Sequence, residues 1–260
     1  MELDNKVCVI TGAASGIGAA TCRAFAAKGA RVVVADINME GARQVAAEIG
    51  GLAIACDVSV EAEVNNLVAE SEKQFGPIDL FFNNAAVATG GNPLETPIDV
   101  WQDQWNINVM AHVYAVRAVL PGMLARGQGY LLHTASMAGI LTSQGNLPYA
   151  TTKHAVVGLA EWLSISYHDK GIRVSLLAPL GVRTPMLGDI SSPFAVSAAG
   201  PIKEPEDVAD MVVLGVQSES FLILTDPIAQ TWMERKTNDP ERWLTGMRRL
   251  QVKMDSAPNA

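Results

Sequence analysis

Tyr149 and Lys153 stand four residues apart in the stretch YATTK. The segment reads as the start of a helix, and that spacing stacks both side chains on one face. A phenol is a poor base near neutrality, because its ordinary pKa is about 10. An ammonium beside it favours the phenolate and brings Tyr149 toward general acid–base work. Ser136 falls at the end of an apolar run, where an open α/β sheet places its ligand crevice. A hydroxyl there can hydrogen-bond a substrate oxygen. Taken singly these signals are weak: Tyr-x-x-x-Lys recurs by chance, and loop serines are common.

A glycine cluster upstream strengthens them. Thr11-Gly12-Ala13-Ala14-Ser15-Gly16-Ile17-Gly18 lies between the first strand-like run and the first helix-like run. Gly12 allows a tight turn, while Gly16 and Gly18 let backbone approach a pyrophosphate and let the helix pack close to the sheet. Ser15, Gly16, Ile17 and Gly18 open that helix, whose free N–H groups suit phosphate. Asp36 ends the second strand, where a carboxylate accepts from adenosine ribose hydroxyls and repels a 2′-phosphate. Ile37 and Asn38 follow it, so no cation is at hand for that phosphate. The cofactor expected is NAD rather than NADP. Asp57-Val58 after the third strand could hold the adenine edge, or Asp57 could cap the next helix; spacing leaves both open. A positively charged nicotinamide would add to the pull of Lys153 on Tyr149.

The elements that must position these residues alternate regularly. Strands are expected at residues 6–11, 31–36, 52–55, 80–83, 130–134, 173–178 and 221–224. Helices are expected at 17–28, 39–49, 61–75, 149–168 and 206–217, with a long helical region over 96–125. Val64, Leu67, Val68 and Phe75 share one face of the third helix. The strands are continuous apolar runs, as strands buried on both faces must be. The fold class expected is α/β: a single-domain, Rossmann-type doubly wound parallel sheet of about seven strands with helices on both faces. Residues 1–260 read as one domain, with 226–260 a helical C-terminal extension. Trp232 and Trp243 on that extension suggest docking on the body or on another subunit, or simple core packing. Residues 180–203, rich in Gly, Pro, Ser and Ala, have weak periodicity, and a loop of that length inside a compact domain is usually functional or disordered.

With these motifs in this order, the sequence resembles the short-chain dehydrogenase/reductase family, from about residue 5 to residue 225. The resemblance is carried by TGAASGIG (Thr11 to Gly18), Asp57-Val58, Asn83-Asn84-Ala85, Asn108, Ser136, and Tyr149 with Lys153. It implies that Tyr149 is the proton donor/acceptor and that Ser136 orients the substrate oxygen. It implies that Lys153 binds the nicotinamide ribose and lowers the Tyr149 pKa, and that Asn108 holds a water continuing a proton relay. Asn84, Val182 and Thr184 match cofactor contacts. It also implies a homotetramer pairing the helices near 96–125 and 149–168. Three departures stand out: Ala86 where the family has Gly, Pro179-Leu180 where it has Pro-Gly, and the Trp-containing tail. Leu180 lacks the freedom of glycine at positive φ, so the turn there is expected to differ.

Composition narrows the partners. The chain has 260 residues, 49% hydrophobic and 18% charged, with a net charge of −8. No basic surface invites nucleic acid. The three cysteines, Cys8, Cys22 and Cys56, have no zinc-ligand spacing and read as buried free thiols. His112, His133, His154 and His168 share no ligand spacing either, so no metal is expected. The polar start MELDNKV shows no signal peptide, and no apolar run is read as reaching the ~18 residues of a spanning helix. A cytoplasmic protein without membrane contact is expected. The pocket is expected to be walled by residues 88–92, 138–147 and 180–200, with Ile140, Leu141, Leu147, Met186, Leu187, Ile190 and Phe194 and with Arg183 as the only cation. A charged substrate wants a dedicated Arg or Lys. The substrate expected is a small, neutral, hydrophobic secondary alcohol or its ketone, alicyclic or terpene-like. An acyl-thioester or steroid ketone is the alternative within enzymes, and a catalytically silent NAD-binding sensor or scaffold the alternative outside them.

Overall fold

The structure is a computed structural model and describes residues 1–187 and 200–256. Seven strands are present among them: β1 (Val7–Thr11), β2 (Arg31–Asp36), β3 (Leu52–Ala55), β4 (Leu80–Asn83), β5 (Gly129–Thr134), β6 (Ile172–Ala178) and β7 (Leu222–Leu224). They form one sheet in the order β3-β2-β1-β4-β5-β6-β7, with every neighbouring pair parallel. The order turns back on itself between β1 and β4. In doubly wound sheets the ligand crevice opens at the carboxyl ends of the strands at such a switch point.

Helices cover both faces. On one side lie α1 (Gly16–Ala27), α2 (Met39–Ile49) and α8 (Pro205–Gln217). They close a core that includes Ile10, Phe25, Val34, Phe82, Tyr130 and Val212. On the other lie α3 (Glu61–Phe75), α4 (Ile98–Trp105), α5 (Ala111–Arg126) and α7 (Leu147–Tyr167), around Val9, Leu67, Phe81, Leu131 and Val156. A short α6 (Ala138–Leu141) follows β5, and α9 (Pro227–Asn238) and α10 (Pro240–Asp255) follow β7. This is the doubly wound sheet expected from the sequence, with helix ends shifted by a residue or two.

The long helical region differs in kind. It begins at Ile98, and between α4 and α5 a π-helical turn spans Asn106–Met110. Such single-turn widenings gather at functional sites, and this one carries Asn108. By length and composition alone, Ile98–Arg126 is apolar enough to cross a membrane, contrary to the sequence expectation. Half of its most apolar window is buried, with Ala115, Val119 and Met123 in the core that also holds Phe81 and Leu131.

The C-terminal residues form two helices. The Asp226 carboxylate caps α9 by accepting from the Ile228 N–H at 3.0 Å. Trp232 and Met233 of α9 and Trp243 of α10 pack on Met137, Leu141 and Ala178.

Candidate active site

A cavity of about 820 Å³ opens at the carboxyl ends of the strands, within the usual span for small-molecule sites. At one end lies the glycine loop. Gly12 has φ 62°, and a Cβ there would stand 2.7 Å from Ala85 Cα. Gly16 has φ 52°, and its Cβ would stand 2.9 Å from Thr184 Cγ2. The loop is thus pinched between the ends of β4 and β6, in a conformation that favours glycine. Gly18 sits behind it: a Cβ there would meet the Gly12 carbonyl oxygen at 2.2 Å. Gly18 serves the close fit of α1, while Gly12, Ser15, Gly16 and Ile17 line the cavity.

Several features fit a dinucleotide here. Helix α1 begins with no side-chain cap and no acidic residue in its first turn, so its N-terminal N–H groups and dipole are available to a phosphate. The Asp36 carboxylate accepts from Ala14 N–H at 2.9 Å and from Asn38 N–H at 2.8 Å. One oxygen is thereby fixed to the glycine loop, and spare lone pairs remain for ribose hydroxyls. Asp57 accepts from the Ser59 N–H and hydroxyl at 2.9 and 2.7 Å, ahead of α3, whose N-cap is Val60 without a side-chain cap bond, so it does not cap that helix; with Val58 it lines the cavity. Val182, Thr184 and Asn84 line it too. Asn84 also knits strands together, since its amide donates to Thr11 O at 3.0 Å and its oxygen accepts from Thr134 Oγ1 at 3.2 Å.

Ser136, Tyr149 and Lys153 meet on the cavity wall between the two ends. β5 delivers Ser136 just beyond Thr134. Helix α7 delivers the other two, with Pro148 in its first turn, where proline's fixed φ suits a helix start. Lys153 is fully buried and donates to the Thr134 carbonyl oxygen at 2.8 Å. Its Nζ stands 5.6 Å from the centre of the Tyr149 ring. Ser136 Oγ accepts from Ala138 N–H at 3.1 Å, which fixes its rotamer at the foot of α6.

Burial governs the electrostatics of this set. It pushes the Lys153 ammonium down to about 7 and pushes the Tyr149 phenol up, with a hydrogen bond to Ser136 pulling the other way. The expectation from the sequence joined the positive nicotinamide to Lys153 in favouring the phenolate, and the cofactor-free balance gives the nicotinamide a part to play. In the protein by itself desolvation outweighs the pair attraction, and a further positive charge is needed to favour the phenolate.

Asn108 stands apart from the cavity. It is fully buried, and its amide is engaged on every side. Its oxygen accepts from Val87 N–H at 2.9 Å, and its nitrogen donates to Val87 O at 2.9 Å and to Thr152 Oγ1 at 3.1 Å. Thr152 in turn donates to Tyr149 O at 2.8 Å. The side chain couples the wall residue Val87 to the first turn of α7, so it positions Tyr149.

On the substrate side, Leu141, Leu180, Met186 and Leu187 line the cavity. Ile140 and Leu147 do not, and Ile190 and Phe194 lie outside the described residues. Arg183 is paired with Glu204 at 2.7 Å and does not line the cavity. Leu180 has no positive φ; the chain takes an ordinary backbone there, and its N–H donates to Thr225 Oγ1 at 3.1 Å. The strained backbone is Thr142, at φ 87° on the cavity wall, a conformation uncommon for a β-branched residue. Trp232, Trp243, Met247 and Leu250 also line the cavity. Sequence reasoning placed none of them in it, although two tryptophans on a terminal extension were the available signal.

The comparisons with known proteins agree with this geometry. The family model described as short chain dehydrogenase matches residues 6–193. A 2,5-dichloro-2,5-cyclohexadiene-1,4-diol dehydrogenase of Sphingobium indicum is 40% identical over 190 residues, covering 72% of this chain and 76% of that one. A cyclohexanol dehydrogenase of Acinetobacter sp. is 35% identical, covering 85% and 92%. A 1-deoxy-11-beta-hydroxypentalenate dehydrogenase of Streptomyces exfoliatus is 34% identical, covering 92% and 90%. Among solved structures, a short chain dehydrogenase/reductase from Burkholderia phymatum in complex with NAD superposes with a TM-score of 0.85 at 29% identity, covering 93% and 96%. Both the matched family model and the identity and coverage of these relatives place the chain in one group: it belongs to the short-chain dehydrogenase family.

Proposed function

We propose that this NAD-dependent oxidoreductase interconverts a small neutral alicyclic secondary alcohol and its ketone. The observation that carries the reading is the apolar substrate end of the cavity. Among the described residues that line it, Lys153 is the only cation, buried beside the Tyr149 ring with one N–H on the Thr134 carbonyl oxygen. A carboxylate or phosphate on the substrate would find no partner there. Two similar proteins are named for neutral alicyclic alcohols, a cyclohexanol dehydrogenase and a dichlorocyclohexadienediol dehydrogenase, and a third for the neutral open-chain meso-2,3-butanediol; the hydroxypentalenate dehydrogenase is named for a ring alcohol that carries a carboxylate.

When bound, NAD supplies the hydride acceptor and, in its oxidised form, a positive charge. Tyr149 takes the hydroxyl proton of the alcohol, and Ser136 holds the same oxygen. Lys153 sits beneath the phenol ring and keeps cationic character close to it. Gly12, Ser15, Gly16 and Ile17 would hold the pyrophosphate, and Asp36 the adenosine ribose. Asn84, Val182 and Thr184 would flank the nicotinamide half, with Asp57 and Val58 at the adenine.

Absorbance at 340 nm over an alcohol panel tests the reading. Cyclohexanol and related neutral secondary alcohols should reduce NAD, with NADP at least ~10-fold poorer because Asp36 repels a 2′-phosphate. Turnover confined to hydroxy acids or to carrier-bound ketones would overturn it.

The homotetramer belongs to the same proposal. Ile98, Trp105, Trp162 and Ile165, on α4 and α7, expose apolar side chains, and apolar clusters of that kind mark interaction faces. Light scattering on the purified protein should give four times the chain mass, and a monomer mass would remove this part.

A further inference from the structure

The C-terminal helix α10 has one face unlike the rest. Of residues 240–250, only Trp243, Met247 and Leu250 escape full exposure. They recur at i, i+4 and i+7, which is one stripe of a helix. All three line the cavity that holds Ser136 and Tyr149. The other face is charged, with Glu241, Arg242, Arg248 and Arg249 exposed. What α10 covers is therefore the cavity itself.

Helix α9 holds α10 in that place. Its Trp232 lines the same cavity and belongs to one apolar cluster with Trp243 and Leu180. Lys236 of α9 donates to the Ile140 carbonyl oxygen of α6, the short helix that begins two residues after Ser136. Asp226, the cap of α9, pairs with Lys203 at 3.3 Å. Asp239 caps α10, accepting from Arg242 N–H at 3.0 Å. The pair is thus fastened to α6, just after Ser136, and to Lys203, which is bridged to the cavity residue Val182.

We infer that this helical pair is the wall that sets substrate size, with Trp232 and Trp243 as specificity-determining residues. Two indoles and the Met247 thioether present broad apolar surface and no charge to a bound ring. They favour a compact alicyclic body and leave little room for a bulkier one. The inference rests on the proposed site and deepens it. Leu180 packs its side chain in the cluster that contains Trp232 and Trp243 and so continues the same apolar wall.

The experiment compares wild type, Trp243→Phe and Trp243→Ala, all saturated with NAD. It measures kcat and KM for ring alcohols from cyclohexanol to cyclododecanol, and for hydroxy acids of graded size. Trp243→Ala should raise KM for the smallest accepted alcohol about tenfold or more with kcat less affected, as loss of uniform binding does. It should also shift the ratio of kcat/KM toward the larger rings. Trp243→Phe should fall between the two, and NAD affinity should stay within ~2-fold in all three, which shows the variants are folded. In parallel, cyclohexanone is titrated into the NADH-loaded proteins, and its Kd by calorimetry should weaken in the same order. Unchanged size ratios in a wild type that oxidises ring alcohols would overturn the wall and leave the proposed function standing. Turnover of acids alone, with ratios that shift in Trp243→Ala, would overturn the proposed substrate and leave the wall standing. No turnover on the panel, with a cyclohexanone Kd that ignores residue 243, would overturn both.

Discussion

Tyr149→Phe should lower alcohol oxidation by about 10²- to 10⁴-fold, the usual worth of a positioned general acid or base. The substitution removes one oxygen and keeps the ring that Lys153 sits over at 5.6 Å. The helix around it is fixed from below by Asn108 and Thr152, so the geometry survives. NAD affinity should stay within ~3-fold, because the glycine loop and Asp36 lie at the other end of the cavity. The pH dependence separates chemistry from packing. Burial holds the phenol above its ordinary range, so oxidation by wild type should climb with pH as the phenolate becomes populated. The residual rate of the variant should lose that climb. Lys153, pushed down to about 7, works against a simple profile: above that pH it loses the charge that favours the phenolate, and the climb should flatten in the alkaline range. A variant that keeps more than about a tenth of the wild-type kcat would exclude Tyr149 as the proton carrier.

The sheet was legible because of how it is built. Strands such as Val7–Thr11 and Leu80–Asn83 are buried along their whole length, and burial on both faces removes the alternation that marks half-exposed strands. What remains is a short apolar run, and the helices between such runs announce parallel crossovers. The site was legible for a related reason. Glycines at 12 and 16 are demanded by positive φ and close approach, and such demands leave a signature in residue type. The Tyr149–Lys153 spacing carries over because α7 is helical from its first turn.

Other features had no such signature. The π-helical turn at Asn106–Met110 adds one residue to a turn inside an apolar stretch, and an apolar pattern absorbs that slip without trace. The family resemblance gave Asn108 a role at a water; that its side chain also ties Val87 to Thr152 depends on tertiary contacts that spacing does not show. The wall built by Trp232 and Trp243 escaped because apolar periodicity says that a helix face is covered and not what covers it. On α10 the covering partner is a cavity. The electrostatic balance at Tyr149 escaped too, because desolvation depends on tertiary burial and opposed the pairwise attraction that spacing suggested.

The buried histidines are the last such case, and they should make the protein acid-sensitive. His112 of α5 and His133 of β5 stack at 5.2 Å, with their Nδ1 atoms 2.9 Å apart. One proton must lie between those nitrogens. Asn83 Nδ2 also approaches His133 Nδ1 at 3.5 Å. A proton added to the second Nδ1 would set N–H against N–H, and among the described residues neither buried Nε2 has a partner. Burial accordingly holds His133 down at about 3. It holds His112 well below its ordinary value, with His133 and the Lys153 charge adding to the effect. His133 stays neutral in the folded chain at pH 5 and His112 is held toward neutrality in the same direction, whereas in the unfolded chain both take protons below about 6.5. The stability that depends on their neutrality is complete above that pH and drains as pH falls toward 3. Linkage sets the loss at about 1.4 kcal/mol per pH unit for each histidine. Between pH 6.5 and 4.5 His133 should cost on the order of 2–3 kcal/mol, with His112 adding in the same direction, a large share of the whole stability of many domains. Depressed carboxyls such as Glu219 start from an ordinary value of 4.5 and add mainly below that window. Urea melts of the cofactor-free protein across it should show the steep fall, and His112→Gln with His133→Gln should flatten it whatever the starting stability. If the double variant does not fold, His133→Gln alone should lower the slope by about 1.4 kcal/mol per pH unit. An unchanged slope in these variants would show that other groups carry the acid sensitivity.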